Sequence, residues 1–287
     1  MHNTIYCLHN TELYGTWANK KAQFCAFFHT KILMEILFKD VKVNYEIVGD
    51  GEELFVFLHG WGANLDLMKS LAFAVGENHK CLLIDFPPFG KSQEPNQPWN
   101  LDDYVDLTAK IISQTLNLQQ NKQNKHKMLI SAIFAHSFGG RVALKGLSDG
   151  KFSSKRLILL SSAGIMPKMS IKTKLQIARF KFLKKIGSKK AEKFGSSDYK
   201  VLSPVMKQTF NEIINENLAP CCPKIGAKTL IIFGENDKET PPYMAKKLNK
   251  LIKNSQLYLI KGAGHFAYIE NAAKVVPIIY AFLNFTS

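Results

Sequence analysis

Ser137 stands between small residues in Ala135-His136-Ser137-Phe138-Gly139-Gly140. There a mostly apolar run, Met128 to Phe134, meets a segment in which Gly139, Gly140, Val142, Ala143 and Leu147 have helical spacing. A serine hydroxyl is a useful nucleophile only when it is held exposed, given a base and set beside donors for the oxyanion. A sharp strand-to-helix turn supplies the exposure and points helix N-terminal amides at the reacting carbonyl. The chains crossing at such a turn need small residues two before and two after the serine, and Ala135 and Gly139 meet that need. A serine beside glycine is commonly an ordinary turn residue, so other segments must decide the matter. The chemistry asks for an acid after a later strand and a histidine after the last one, in the chain order Ser, Asp, His. Phe233-Gly234-Glu235-Asn236-Asp237 and Gly262-Ala263-Gly264-His265-Phe266 supply both.

With these three segments the chain resembles the α/β-hydrolase-fold proteins, from about Met34 to the C-terminus. His59-Gly60-Trp61-Gly62 is similar to the family's oxyanion loop, and Asp85-Phe86-Pro87-Pro88-Phe89-Gly90-Lys91-Ser92 to its loop after the next strand. Ala135 stands where the G-x-S-x-G form has glycine, which narrows the room beneath the serine. The resemblance implies Ser137 as nucleophile, His265 as the base that later protonates the leaving group, and Asp237 as the group that orients His265. It implies an oxyanion hole made by the backbone N–H groups of Trp61 and Phe138, whose side chains then line the acyl pocket. His59 and His136 flank the motifs and read as structural. A serine nucleophile argues against the dehalogenases and epoxide hydrolases of this fold, which attack with an aspartate.

Positioning these groups requires alternating strands and helices. Ile36 to Phe38 and Val41 to Val48 alternate as a leading hairpin, and Leu54 to Leu58 is an uninterrupted apolar run of strand length. Leu67 or Met68, Leu71 and Val75 have helical spacing before the strand Cys81 to Ile84. Leu101 to Leu116 reads as a helix capped by Asn100, and Gln119 to Lys127 as a polar loop. Further strands are expected at Leu157 to Leu160, Thr229 to Phe233 and Leu257 to Ile260. Pro241 or Pro242 opens a helix, and Pro277 should kink the closing helix or delay its start. The fold class is therefore α/β, a mainly parallel central sheet with flanking helices and its site at the carboxyl ends of the strands. The core comprises residues 34–162 and 224–287. Residues 163–223 lack sheet-type strands and read as an inserted helical lid, with Leu175, Ile177, Ala178, Phe182 and Leu183 marking amphipathic helices. Residues 1–33 lack regular patterning and read as a disordered extension or as upstream sequence translated from an early start.

At 287 residues the chain is long enough for one full α/β domain, and no apolar run approaches the ~20 residues of a membrane helix. It reads as a soluble protein. Its net charge of +15 comes mostly from dispersed lysines without a nucleic-acid motif, so no nucleic-acid partner is expected. The five cysteines have no C-x-x-C spacing and fit free thiols in a reducing cytoplasm. Nothing resembles a carboxylate and histidine metal set, a P-loop or a dinucleotide fingerprint, so no cofactor and no metal are expected.

Together these features read as a cytoplasmic serine hydrolase acting on a small-molecule carboxylic ester or thioester through an acyl-enzyme. A cofactor-free C–C hydrolase or lyase-like member of the fold, and a receptor-like or scaffold protein retaining it, are the alternatives. Lys168, Lys172, Lys174, Arg179, Lys181, Lys184, Lys185, Lys189, Lys190 and Lys193 give the lid a basic face that could receive an anionic acyl carrier or remain solvated surface. In lid charge alone it resembles family members that demethylate a carrier-bound pimeloyl ester.

Overall fold

The computed structural model describes residues 31–120, 130–167 and 197–284. Their strands are β1 (Ile32–Phe38), β2 (Val41–Val48), β3 (Leu54–Leu58), β4 (Lys80–Ile84), β5 (Ile130–His136), β6 (Arg156–Leu160), β7 (Lys228–Gly234) and β8 (Ser255–Ile260). They form one eight-stranded sheet in the order β1-β2-β4-β3-β5-β6-β7-β8. β2 pairs antiparallel with both β1 and β4, and every pairing from β4 to β8 is parallel. Parallel strands need crossover connections, and helices supply them. The crossover helices are α1 (Leu65–Val75), α2 (Leu101–Gln120), α3 (Phe138–Ser148) and α6 (Pro242–Leu251), while α7 (Ala267–Glu270) and α8 (Ala272–Asn284) follow the last strand.

Alternation along each strand divides the core into two layers. On β3, Leu54, Val56 and Leu58 face the layer that holds Tyr104 of α2, Val142 of α3 and Leu248 of α6. Phe55 and Phe57 face the opposite layer, with Met68 of α1 and Val275 and Ile279 of α8. A strand buried on both faces reads as a continuous apolar run, which is why Leu54 to Leu58 is legible without alternation.

Some element boundaries differ from expectation. β1 begins at Ile32, two residues before the regular pattern starts at Met34, because Ile32 and Leu33 are about half exposed and leave no periodic burial signal. α2 runs to Gln120, so Gln119 and Gln120 are helical; residues 121–129, and with them Met128, lie outside the described residues. α8 starts at Ala272, five residues ahead of Pro277, so the proline does not delay it; Val275, Ile279 and Phe282 anchor it in the core on either side. At the start of α2 the expected cap is present and reciprocal. The Asn100 side chain accepts from the Asp103 N–H at 3.1 Å, and the Asp103 carboxylate accepts from the Asn100 N–H at 2.7 Å.

Of the expected lid, residues 168–196 and their basic run lie outside the described residues. The described part of the stretch beyond them is helical, with α4 (Ser197–Val201), α5 (Pro204–Asn215) and a 3₁₀ turn at Cys222–Lys224. Ser203 caps α5, accepting from the Met206 N–H at 3.1 Å, with proline at the first helical position. Among the described residues no helix is long and apolar enough to cross a membrane.

Candidate active site

The loops that carry the motifs leave the carboxyl ends of β3, β5, β7 and β8, and the loop after β6 braces them. Ser137 sits between β5 and α3 with φ 48° and ψ −109°. That left-handed backbone costs a serine roughly 1–3 kcal/mol and persists only where the surroundings impose it. They do so with three backbone hydrogen bonds: Ser137 N–H to Leu160 O at 3.0 Å, Gly140 N–H to Ser137 O at 3.0 Å, and Ala163 N–H to Ser137 O at 3.0 Å. Gly139 has to be glycine, since a Cβ there would lie 2.3 Å from the Leu58 carbonyl oxygen. Its N–H donates to His59 O at 3.1 Å, tying the elbow to the loop after β3.

That loop is fixed in turn by buried polar groups. The His59 ring accepts from the Phe86 N–H through Nε2 at 2.9 Å, so Nδ1 carries the proton and donates to Gly60 O at 2.7 Å. Burial holds the His59 pKa down to about 4, against the smaller upward pulls of the Gly60 carbonyl and Asp85. His59 is therefore a neutral crosslink. The Asp85 carboxylate takes N–H bonds from Leu65 at 2.8 Å and Lys91 at 2.9 Å, joining the start of α1 to the loop after β4. Among the described residues, the backbone N–H groups of Trp61 and Phe138 donate to no backbone acceptor. The Phe138 side chain is buried in an aromatic cluster, edge-on to Trp61 at 5.6 Å and to Tyr104 at 5.0 Å, while Trp61 also meets Phe89 and Phe210.

Asp237 and His265 are in contact. The imidazole donates through Nδ1 to Asp237 Oδ2 at 2.9 Å, and both side chains are buried. Asp237 Oδ1 accepts the N–H groups of Glu239 at 3.0 Å and Thr240 at 2.9 Å, and the Thr240 hydroxyl reaches Oδ2 at 2.8 Å. Burial pushes the Asp237 pKa up, but His265 and the Thr240 donors outweigh it and hold the carboxyl below its usual value. The Thr240 hydroxyl also reaches Ser161 O at 3.0 Å, so the loop after β6 shares in positioning the acid. The histidine loop is pinned by Glu270, which accepts from the Gly264 N–H at 2.6 Å.

His136 links the two halves of the site. Its Nε2 donates to the His265 carbonyl at 3.2 Å and its ring centroid is 4.9 Å from that of His265. Burial, helped by the neighbouring His265, holds its pKa down to about 3. Among the described residues no hydrogen bond joins the Ser137 hydroxyl to His265; the His265 Nε2 instead faces Glu239 Oε2 at 3.3 Å.

The alpha/beta hydrolase family model matches residues 55–278, a stretch that contains all of these loops. The chain belongs to the alpha/beta hydrolase family. AB hydrolase superfamily protein YisY of Bacillus subtilis is 26% identical to it over 83% of this chain and 94% of its own length. The pimeloyl-[acyl-carrier protein] methyl ester esterase of Serratia marcescens is 23% identical over 83% of this chain and 97% of its own length. The 2-hydroxy-6-oxononadienedioate/2-hydroxy-6-oxononatrienedioate hydrolase of Escherichia coli is 21% identical over 85% and 92%. Among solved structures, an esterase from Exiguobacterium antarcticum superposes with a TM-score of 0.68 at 22% identity, covering 88% of this chain and all of its own.

Two contributors to this hydrolase-family site, Glu239 and Thr240, are not evident from sequence reading, and neither is the buried cation Arg141 that ties α3 to the end of α5. Thr240 and Glu239 follow Asp237 but gain their roles from the turn it forms. Arg141 reaches from the buried face of α3 to the Ile213 carbonyl at 2.5 Å and to the Glu216 carbonyl, capping the end of α5. Burial lowers its pKa to about 10, which leaves it charged. The nearest signal was the cation itself, an arginine at an otherwise small and apolar helix start.

Proposed function

We propose that this chain is a serine hydrolase that cleaves a carboxylic ester or thioester through an acyl-enzyme, with Ser137, His265 and Asp237 as its catalytic residues. The observation that carries the reading is the strained Ser137 backbone, opposite an acid and imidazole pair that is already assembled. Strain of this kind is retained where it exposes a reacting group. In the first half-reaction Ser137 Oγ attacks the acyl carbonyl as His265 Nε2 takes its proton. The imidazolium, held by Asp237, then protonates the departing alcohol or thiol. Water repeats the sequence on the acyl-enzyme and releases the acid and free Ser137. The N–H groups of Trp61 and Phe138 receive the oxyanion in both halves. For this, His265 Nε2 comes within hydrogen-bond reach of Ser137 Oγ while the Glu239 carboxylate stays beside the ring.

The substrate is a small acyl ester whose acyl part meets the partly buried Trp61 ring, with the pocket opening toward the Phe138 ring packed behind it. An anionic acyl carrier as its bearer is supported by the Serratia relative's name and by the lysine-rich segment 168–193. Residues 163–223 serve as the lid, residues 1–31 precede the domain, and the reducing cytoplasm suits the free thiols of Cys81, Cys221 and Cys222. No cofactor takes part in the proposed steps. Carbon–carbon bond hydrolysis is the second reading, favoured by the similarity to the Escherichia coli hydrolase. A panel of acyl esters of graded chain length, run beside a vinylogous 1,5-diketone, separates the two. Turnover of esters that vanishes in Ser137→Ala supports the first reading, and turnover of the diketone alone overturns it.

A further inference from the structure

Glu239 places a carboxylate at the one nitrogen of His265 that the proposed reaction uses. Its Oε2 lies 3.3 Å from Nε2. The position is not accidental to the fold, because the Glu239 N–H donates to Asp237 Oδ1 at 3.0 Å and the same turn therefore holds both acids. Among the described residues no lysine or arginine pairs with Glu239, although the chain carries a net charge of +15 and pairs many of its other acids. The other ionisable groups in contact with His265 do not offset the charge. Asp237 is a second acid on the opposite ring nitrogen, and His136 is buried and neutral.

The leaving group must accept its proton from Nε2, so its oxygen or sulfur comes within ~3 Å of that nitrogen. It then lies at most about 6 Å from the Glu239 carboxylate, and substituents on the departing alcohol lie close to the same charge. The acyl chain leaves the carbonyl on the other side. We propose that Glu239 is a specificity-determining residue that selects the charge of the leaving group: the site takes esters of neutral or cationic alcohols and disfavours those whose alcohol carries an anion near the scissile bond. This rests on the serine hydrolase reading above. The Glu239 side chain is 69% exposed, so its field is screened. Coulomb's law over ~6 Å with an effective dielectric of ~40–80 gives about a three- to tenfold discrimination per unit charge.

The test uses three aryl butyrates with the same acyl group, whose phenols are unsubstituted, carry a meta-carboxylate or carry a meta-trimethylammonium group. kcat/KM is measured for the wild-type full chain, Glu239→Gln and Glu239→Lys at low ionic strength, and each charged ester is expressed relative to the neutral one. Comparing ratios removes differences in folding and active fraction. Glu239→Gln is expected to raise the anionic-to-neutral ratio about three- to tenfold and to lower the cationic-to-neutral ratio by a similar factor. Glu239→Lys is expected to extend both changes, and 0.5 M salt to shrink them. Ratios that stay within twofold of wild type in both variants, while the neutral ester still turns over in a Ser137-dependent way, overturn the role of Glu239 alone. Absence of Ser137-dependent turnover of the neutral ester overturns the hydrolase reading and this inference with it.

Discussion

Replacing Thr240 with valine keeps the shape of a buried side chain and removes only its hydroxyl. That oxygen lies 2.8 Å from Asp237 Oδ2 and 3.0 Å from the Ser161 carbonyl. Asp237 keeps His265 and two backbone N–H groups, so its position survives while one charge-assisted bond is lost. A hydrogen bond to a charged group contributes about 1.5–3 kcal/mol, so a loss of about 2 kcal/mol is expected. At about 2–4 °C per kcal/mol for a chain of this size, Tm falls by about 4–8 °C. Thr240→Ser keeps the hydroxyl and loses a methyl, for about 1 kcal/mol. The penalty should also follow pH. Because the folded-state pKa of Asp237 is depressed, the stability it contributes is present above the unfolded value near ~3.9 and lost as pH falls through the lower folded value. The valine penalty is therefore largest near neutrality and shrinks in acid. Guanidinium unfolding of wild type and both variants between pH 3 and pH 7 measures it. A penalty under about 0.5 kcal/mol at neutrality, the size of an ordinary surface change, or one that grows as pH falls, refutes the reasoning.

Other perturbations follow from the same contacts. Ser137→Ala should lower ester turnover by roughly 10⁴-fold or more with the fold intact, and Ser137→Gly should be the more stable of the two by about 1 kcal/mol because glycine accepts φ 48° without strain; thermal melts and steady-state assays check both. Gly139→Ala brings a Cβ against the Leu58 carbonyl, where backbone rather than a flexible side chain must move, so it should cost stability and turnover together, by about 2 kcal/mol or more in melts. Deleting residues 1–30 tests whether they matter to the domain. Extending the deletion through Leu33 removes two strand pairings and the 3.0 Å ion pair from Lys31 to buried Glu46, and should lower Tm further than the shorter deletion does.

The central strands were legible because burial on both faces demands unbroken apolar runs such as Leu54–Leu58 and Leu157–Leu160, and runs of that length have little else to form. The positions of Ser137 and Asp237 are legible for a related reason, since each lies just beyond such a run, and His265 follows the shorter apolar run Leu257–Ile260 of the half-exposed edge strand β8, so all three are carried to the carboxyl ends of the strands. Ile32 and Leu33 leave no such signal because strand pairing at an exposed edge needs no burial pattern. The turn after Asp237 is silent for a different cause. Thr240 acquires its contacts from the Ser161 carbonyl, 79 positions away, and Glu239 from a ring on the next loop. Composition and periodicity describe what a residue prefers, and neither encodes which distant backbone atom it will meet. His59 stands between these cases: its place before Gly60 was visible, but its bond to the Phe86 N–H depends on β3 and β4 lying side by side.

Whether Ser137 is the nucleophile of an acyl-transfer site is tested most directly by intact-protein mass spectrometry after brief exposure to a fluorophosphonate, followed by peptide mapping. One adduct per chain on Ser137, absent from Ser137→Ala and slowed in His265→Ala, is the expected result. An adduct on another residue, or none on correctly folded protein, contradicts that assignment.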